Sequence, residues 1–195
     1  MGKIFYIMGK SASGKDTIYK ELMEKMPKFH SIVPYTTRPM REGEKDGVEY
    51  FFVDQERFDE MMDEEKIIEF RSYNTKCGIW TYFTADDGQV DLGRSDYLGI
   101  GTLDSFVKMK KYYGEDAVCP VYIQVEDGER LSRALKRERE QANPKYEEMC
   151  RRFIADQSDF SEENILRAGI WKRFQNIDLE TCVQEIVNYV KSMQQ

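Results

Sequence analysis

The hydrophobic residues of this chain fall into short, almost unbroken apolar runs that alternate with longer amphipathic segments. Residues 3–8 and 119–125 are runs of the first kind, which are typical of strands buried on both faces. Residues 17–26 and 178–193 instead repeat apolar side chains every three or four positions, which predicts helices with one buried face. Strands that alternate with helices predict an α/β fold with a mainly parallel sheet flanked by helices.

The middle of the chain has a different pattern. Residues 33–94 are β-rich and predict a small insert in the main domain. Strands are expected at residues 32–37, 49–53, 67–73, 79–84, 96–101 and 170–176, and helices at 54–64, 103–112 and 128–156, with a break near Pro144. No internal repeat or low-complexity linker divides the chain, so residues 1–195 predict a single domain.

Composition narrows the classes of partner. The chain has 195 residues, of which 41% are hydrophobic and 33% charged, as expected for a globular protein with a sizeable core. Its net charge of −7 argues against binding to nucleic acid or to anionic membranes. No apolar run approaches the roughly 20 residues of a membrane span. Because a strand begins almost at the N-terminus, we expect no signal peptide and a cytoplasmic protein.

The cysteine and histidine content argues against two kinds of site. Cys77, Cys119, Cys150 and Cys182 lack the spacing of metal ligands, and His30 is the only histidine. We therefore expect neither structural zinc nor a Ser-His-Asp triad. Scattered cysteines of this kind fit reduced thiols in a cytosol.

A glycine-rich segment follows the first apolar run and precedes the first predicted helix. Gly9, Gly14 and Lys15 match the phosphate-binding pattern G-x-x-x-x-G-K-[ST], the P-loop, in the strand–turn–helix context that it requires. Its backbone N–H groups and the helix N-terminus face phosphate oxygens, and its lysine can follow a transferring phosphoryl group. We therefore predict a P-loop NTPase fold and take Lys15 as a catalytic candidate. The candidate ATP-binding residues are Gly9, Ser11, Ala12, Ser13, Gly14, Lys15, Asp16 and Thr17.

Asp16 stands where the pattern expects a Ser or Thr whose hydroxyl binds Mg²⁺. Two interpretations remain open. The Asp16 carboxylate is a hard oxygen ligand that can bind Mg²⁺ directly. Alternatively, Thr17 approaches the metal, and Asp16 is an acidic residue that favours the positive end of the helix.

A polar loop at residues 38–47 is a second candidate for phosphate binding. Arg38 and Arg41 can fork one phosphate, because guanidinium groups present planar pairs of donors, and Tyr50 can add its phenol. Taken alone, these residues are better interpreted as a solvated charged loop.

Residues 34–52 resemble the signature of the guanylate kinase family, S-x-T-T-R-x-x-R-x-G-E-x-x-G-x-x-Y-x-F. Together with the P-loop, the resemblance covers the first 53 residues in the correct order. It implies that Arg38, Arg41 and Tyr50 hold the phosphate of GMP, that Arg38 acts in catalysis and that Glu44 belongs to the same site. The leading serine of the signature is replaced at Pro34 or Tyr35, so one phosphate contact is expected to be missing.

The segment Ile-Ile-Glu-Phe at residues 67–70 is similar to the family's F-I-E-[WY] strand, and the resemblance implies that Glu69 reads guanine. A carboxylate suits the adjacent N1–H and N2–H₂ donors of guanine, and such a pair is worth about 1–3 kcal/mol of discrimination. An exposed strand glutamate is the alternative. Tyr82 and Thr84 lie near the family's Y-Y-G-T and are candidate GMP contacts, although Phe83 replaces its glycine.

The family's strand V-L-L-D-I-D corresponds to residues 96–101, where Gly99 and Gly101 occupy both acidic positions. In the family one acid lies near the metal and phosphates and the other helps to read guanine. Their loss weakens the expected guanine selectivity. We hypothesise that Asp16 compensates for the missing charge near Mg²⁺.

Residues 127–157 are rich in arginine and resemble the helical lid of the family. Arginines that close over the phosphates stabilise the charge of a transferring phosphoryl group, and on this basis Arg137 and Arg152 are catalytic candidates. Ion pairs with neighbouring glutamates on exposed helices are the alternative. Asn176 lies in a segment similar to the family's V-N-D-D-L, which implies a contact to adenine.

These features together imply a Mg²⁺-dependent phosphotransferase that converts ATP and GMP to ADP and GDP. A kinase of another nucleoside or deoxynucleoside monophosphate is the first alternative, favoured by Gly99 and Gly101. A non-catalytic guanylate kinase-like module that binds proteins is the second, and the presence of Lys15 disfavours it. The expected partners are the two nucleotides, with no nucleic acid and no membrane, in a monomer or homodimer.

Overall fold

The computed structural model describes residues 1–75 and 78–194, which form two β-sheets and surrounding helices. The strands are β1 (Ile4–Met8), β2 (His30–Ser31), β3 (Tyr35–Thr36), β4 (Phe51–Phe52), β5 (Ile67–Thr75), β6 (Gly78–Ala85), β7 (Tyr97–Gly101), β8 (Val118–Gln124) and β9 (Arg173–Gln175). The helices are α1 (Lys15–Lys25), α2 (Gln55–Asp63), α3 (Leu103–Tyr113), α4 (Asp127–Arg139), α5 (Tyr146–Asp159), α6 (Glu162–Arg167) and α7 (Leu179–Met193).

The larger sheet is entirely parallel, with the strand order β2-β7-β1-β8-β9. Strand β1 lies at its centre, and Met8 at the end of β1 is level with Gly101 of β7 and Tyr122 of β8. Parallel strands end at the same edge of a sheet, so the loops that follow β1, β7 and β8 meet there. In open α/β sheets this edge is where ligands bind.

The two faces of β1 belong to two different hydrophobic cores. Phe5 and Ile7 pack in the core that α1 and α7 cover, whereas Ile4, Tyr6 and Met8 pack in the core that α3 and α6 cover. All five residues of β1 are buried, as the unbroken apolar run predicts. Burial on both faces fixes the position of β1, and therefore of the loop that follows it at the carboxyl edge of the sheet.

The smaller sheet is the insert, with the strand order β4-β3-β6-β5 and antiparallel pairing of β6 with both β3 and β5. Helix α2 packs on one face, where Phe58, Met61 and Phe83 form a separate small core. Asp54 caps α2 by accepting a hydrogen bond from the Arg57 backbone N–H. Phe83, which replaces a family glycine, is completely buried in this core.

One sequence prediction about secondary structure is wrong, and one helix has no predicted counterpart. Residues 32–37 do not form one strand: the chain leaves the main sheet after Ser31 and enters the insert at Tyr35. An unbroken run of β-forming residues does not reveal a change of sheet within it. The short helix α6 was also not predicted, since its six residues are too few to show helical periodicity.

The remaining expectations about surface chemistry concern thiols and membranes. Cys119, Cys150 and Cys182 are free cysteines, and Cys77 lies outside the described residues. In the part of the chain that the structure describes, no helix has both the length and the apolar character that crossing a bilayer requires.

The C-terminal helix α7 should contribute as much to stability as the central strands, because Ile186 is fully buried against them. We expect Ile186→Ala to lower the free energy of unfolding by about 2–5 kcal/mol in urea denaturation, since it leaves a cavity. The matched control is Ile177→Ala, which removes a side chain that is 86% exposed and should change stability by less than about 0.5 kcal/mol. Equal effects of the two variants would contradict this assignment of the core.

Candidate active site

The P-loop lies between β1 and α1 and has the backbone shape that phosphate binding requires. Gly14 has φ 84° and ψ 12°, and Ala12 also has a positive φ of 62°. These left-handed conformations curl the loop, whose turn is closed by the Ser13 N–H donating to the Lys10 carbonyl at 3.2 Å. The loop opens onto the N-terminus of α1, where unpaired N–H groups point outwards.

The Asn176 side chain fixes the P-loop through a hydrogen bond to its backbone. Its side-chain amide is buried and donates to the Ser13 carbonyl at 2.8 Å, while Arg133 donates to the Asn176 carbonyl at 3.0 Å. A side chain at Gly14 would overlap the Asn176 amide, so the glycine is needed for space as well as for its positive φ. The predicted contact of Asn176 with adenine stays a prediction, and its observed contact positions the loop.

Arg130 is a site residue that the sequence analysis missed. Its side chain is only 1% exposed, and it donates to the Ser11 carbonyl at 3.0 Å and to Asp156 at 2.7 Å. Asp156 also accepts from the Ser11 N–H at 2.7 Å, so one buried ion pair ties the P-loop to both predicted lid helices. Arg130 also pairs with Asp127 on its own helix, but its P-loop partner Ser11 is 119 residues away and Asp156 is on another helix, so no local pattern marks these two contacts.

Lys15, Asp16 and Thr17 form the first turn of α1 at the mouth of the loop. Asp16 is exposed over 80% of its side chain, and its carboxylate lies 3.9 Å from the Lys15 ammonium group. Within the described residues, no group of three or more acidic, histidine or cysteine side chains forms a metal cage. Mg²⁺ in phosphoryl-transfer sites uses one or two carboxylates together with substrate phosphates, and Asp16 fits that requirement.

The second predicted phosphate site is built around Arg38. Its side chain is 3% exposed and donates twice to Glu44, at 2.8 and 3.0 Å. Glu44 also accepts from the Arg41 N–H at 2.7 Å, which fixes the loop between the two arginines. The guanidinium lies 5.5 Å from the ring centres of both Tyr50 and Phe52. Arg38 and Glu44 therefore order the loop by their own contacts, whereas residues 39–43 are exposed to solvent, as the alternative of a solvated loop expects.

Glu44 acts mainly by orienting Arg38. The hydrogen bonds from Arg38 lower the pKa of the Glu44 carboxyl, which outweighs the opposing effect of burial. Arg38 still has a buried Nε without a hydrogen-bond partner among the described residues. The Arg41 side chain is exposed. Donors therefore remain for a ligand at this loop.

One residue of the second predicted phosphate site lies near the P-loop helix. Burial raises the pKa of the Tyr50 phenol, and the negative charge of Asp16 contributes to the rise. The Arg38–Tyr50 loop therefore lies within electrostatic reach of the first turn of α1.

Glu69, Tyr82 and Thr84 lie together on one face of the insert sheet, as the register Glu69–Thr84 and Arg71–Tyr82 shows. Glu69 is 3% exposed and accepts from the Thr84 hydroxyl at 2.9 Å, so the alternative of an exposed strand glutamate is wrong. Burial raises the pKa of the Glu69 carboxyl, although Arg71 and Thr84 oppose the rise.

The positions of the missing acids are occupied by Tyr6. Tyr6 is level with Gly99 in the sheet, and a Cβ at Gly99 would lie only 2.7 Å from the Tyr6 ring. A Cβ at Gly101 would overlap the Tyr6 hydroxyl, which donates to Ser105 at 2.9 Å. Burial raises the pKa of the Tyr6 phenol, so a neutral group fills the space where the family carries carboxylates.

The predicted lid arginines have different environments. Arg151 pairs with Glu148 at 2.7 Å and Arg133 with Glu129 at 2.8 Å, as the alternative of exposed ion pairs expects. Arg137 and Arg152 are exposed and have no hydrogen bond or close ion pair in residues 1–75 and 78–194. These two catalytic candidates are therefore free to contact a ligand.

A parallel sheet with a P-loop after its central strand, a β-rich insert and two helices over the loop define a P-loop protein of the nucleotide-kinase type. The family model described as guanylate kinase matches residues 1–165, and the chain belongs to the guanylate kinase family. The structure is similar to that of guanylate kinase from Anaplasma phagocytophilum, with a TM-score of 0.67 at 20% identity over 99% of this chain and 86% of the other, a likeness of fold.

Curated relatives are similar over a shorter segment. Guanylate kinase from Legionella pneumophila (strain Lens) is 43% identical over 68 residues, which is 35% of this chain and 32% of the relative. Guanylate kinase from Mycobacterium bovis is 40% identical over 70 residues, which is 36% of this chain and 34% of the relative. The chain thus spans about a third of the length of these relatives.

A double-mutant cycle tests whether Tyr6 excludes side chains from the β7 positions. We expect Gly99→Ala to destabilise the protein by about 1–3 kcal/mol, because the added methyl group would lie 2.7 Å from the Tyr6 ring. In a Tyr6→Ala background the same substitution should cost less than half as much, measured by urea denaturation. An unchanged cost in that background would show that Tyr6 does not fill this space.

Proposed function

We propose that this protein is a Mg²⁺-dependent guanylate kinase that transfers the γ-phosphoryl group of ATP to GMP. The observation that carries the proposal is a P-loop at the end of the central strand, with the Arg38–Tyr50 loop within electrostatic reach of the helix that follows it. Two neighbouring phosphate-binding segments are what direct transfer between two nucleotides requires. Membership of the guanylate kinase family supports the choice of nucleotides.

The catalysis we infer depends on positioning and on charge. The P-loop N–H groups and Lys15 hold the phosphates of ATP, and Lys15 follows the γ-phosphoryl group as it moves. Arg38, Arg41 and Tyr50 hold the acceptor phosphate, with Glu44 fixing the direction of Arg38. Arg137 and Arg152 close from the lid onto the oxygens that gain negative charge, and closure excludes water.

The metal that we infer is Mg²⁺, which would supply positive charge to neutralise the ATP phosphates. Asp16 would hold it, since the carboxylate is exposed at the mouth of the P-loop. Lys15, Arg137 and Arg152 supply the remaining stabilisation of negative charge on the phosphates. Cytoplasmic localisation and a monomeric or homodimeric state remain expectations.

Guanine selection is assigned to Glu69, supported by Thr84 and by Tyr82 at the same face. A buried carboxylate can accept from both N1–H and N2–H₂ of guanine, whereas adenine presents an acceptor at N1. A kinase of another nucleoside monophosphate remains the second candidate. The specific observation that favours it is the loss of both family acids at Gly99 and Gly101, where Tyr6 leaves no carboxylate.

The proposed activity is tested by measuring ADP release from ATP with GMP, dGMP, AMP, CMP and dTMP, with and without Mg²⁺. We expect turnover with GMP and dGMP that disappears when Mg²⁺ is removed. Lys15→Ala should reduce kcat by about 100-fold or more, the size typical for loss of one preorganised charge-stabilising donor. Preference for AMP, CMP or dTMP would support the second candidate, and ATP binding without turnover would support a protein-binding module.

The two interpretations of Asp16 are separated by comparing Asp16→Ala with Thr17→Ala, because alanine removes the oxygen ligand and adds no hydroxyl in its place. If Asp16 holds Mg²⁺, Asp16→Ala should raise the Mg²⁺ concentration for half-maximal activity by about tenfold, while Thr17→Ala leaves it unchanged. Titration of activity against Mg²⁺ measures both. The reverse pattern assigns the metal contact to Thr17, and unchanged kinetics in Asp16→Ala would contradict the compensation hypothesis.

A further inference from the structure

Arg71 lies on the same face of the insert as Glu69 but has no counterpart in the motifs that define the acceptor site. It is two residues beyond Glu69 on β5 and directly opposite Tyr82 on β6. Because alternate residues of a strand point to the same face, its guanidinium projects from the face that also carries Glu69. There it donates to the Thr102 hydroxyl of the main domain at 3.0 Å.

Arg71 and Glu69 form a buried ion pair with unused hydrogen-bonding capacity. Arg71 Nε and Glu69 Oε2 are 3.2 Å apart, yet neither atom has an aligned hydrogen bond among the described residues, and both are buried. The glutamate side chain is fully buried, and its other oxygen accepts from Thr84. The two atoms attract each other as an ion pair but share no aligned hydrogen bond, so each retains hydrogen-bonding capacity that a polar ligand at this face can use.

The surroundings explain why a cation is present at this point. The family carries acids at the two β7 positions that are Gly99 and Gly101 in this chain. Here the Tyr6 side chain covers both glycines, and its hydroxyl donates to Ser105. Removal of those carboxylates leaves Glu69 as the close anionic partner of Arg71. Tyr6, Tyr50 and Tyr73 complete the electrostatic environment of the guanidinium. This face of the insert therefore presents one hydrogen-bond acceptor group, Glu69, beside one donor group, Arg71.

We propose that Arg71 is a specificity-determining residue that reads the O6 and N7 acceptors of the purine while Glu69 reads its N1–H and N2–H₂ donors. The proposal rests on the proposed guanylate kinase function. Arginine is the side chain best suited to these two acceptors, because its fork donates to both at once. Adenine would place its N6–H₂ donors against Arg71 and its N1 acceptor against Glu69, so both residues reject it.

A different role for Arg71 has to be distinguished. It could act only by neutralising and orienting Glu69, without touching the base. Substitution of Arg71 would then weaken the reading of the purine 2-amino group, which is the task of Glu69. If Arg71 touches the base, its substitution instead abolishes the reading of N7.

The test is a cycle between side chains and ligand atoms. The kcat/KM and the calorimetric Kd are measured for GMP, for 7-deaza-GMP, which lacks the N7 acceptor, and for IMP, which lacks the 2-amino group. We compare the wild type with Arg71→Ala, Arg71→Lys and Arg57→Ala. Arg57 is a matched control, an exposed arginine of the insert that pairs with Glu60 on α2. Thermal unfolding establishes that each variant is folded.

The wild type should lose about tenfold or more with 7-deaza-GMP, the effect of one lost hydrogen bond to a charged group. In Arg71→Ala that penalty should disappear, while the penalty for IMP is retained. Arg71→Lys should keep part of the N7 penalty, and Arg57→Ala should behave as the wild type.

Two results would overturn the proposal: an N7 penalty that is the same with and without Arg71, or loss of the IMP penalty alone in Arg71→Ala. Failure of the wild type to bind GMP is a separate outcome that refutes the proposed function and, with it, the proposed role of Arg71. It is seen before any variant is compared, so the two failures are distinguishable.

Discussion

The placement of β1 between β7 and β8 is the constraint on which the rest of the site depends. Because the strand is buried on both faces and paired on both edges, its carboxyl end has a fixed position in the sheet. The P-loop begins at that end. Asn176 and Arg130 then hold the loop from behind and from the side through the Ser13 and Ser11 carbonyls. The phosphate cradle is therefore assembled by contacts between parts of the chain that are far apart in sequence.

The same strand also determines the chemistry of the acceptor side. Tyr6 points into the core opposite to that of Phe5, and its ring covers the two β7 glycines. A neutral phenol consequently replaces carboxylates next to the insert. Buried charges are tolerated only when paired, and the paired charges here are Glu69 and Arg71. Tyr6, which fills the space at the β7 glycines, and the Glu69–Arg71 pair on β5 lie within electrostatic reach of one another.

Much of the architecture could be predicted from the sequence, because buried strands and amphipathic helices have periodic patterns that local residues produce. The P-loop could also be predicted, since its glycines and Lys15 act within nine consecutive residues. The Arg38–Glu44 contact belongs to the same local class, because its partners are six residues apart. The division of residues 32–37 between two sheets could not be predicted, since strand propensity carries no information about the partner strand.

The parts of the site that escaped prediction depend on distant pairs. Arg130 contacts Ser11 across 119 positions, Asn176 contacts Ser13 across 163, and Tyr6 contacts Ser105 across 99. The sequence shows that Gly99 and Gly101 are unusual, but only the packing shows that Tyr6 fills their space. The compensation by Asp16 for the acids missing at Gly99 and Gly101 stays a hypothesis, and it concerns only the binding of Mg²⁺.

The central claim is that one cleft binds two nucleotides with their phosphates facing each other. It is tested most directly by calorimetric titration with a dinucleotide in which adenosine and guanosine are joined through five phosphates. The account predicts one molecule bound per chain, at least about 100-fold more tightly than ATP because both ends bind at once. Lys15→Ala and Arg41→Ala should each weaken this binding. Affinity no greater than that of ATP, or no effect of Arg41→Ala, would contradict the account.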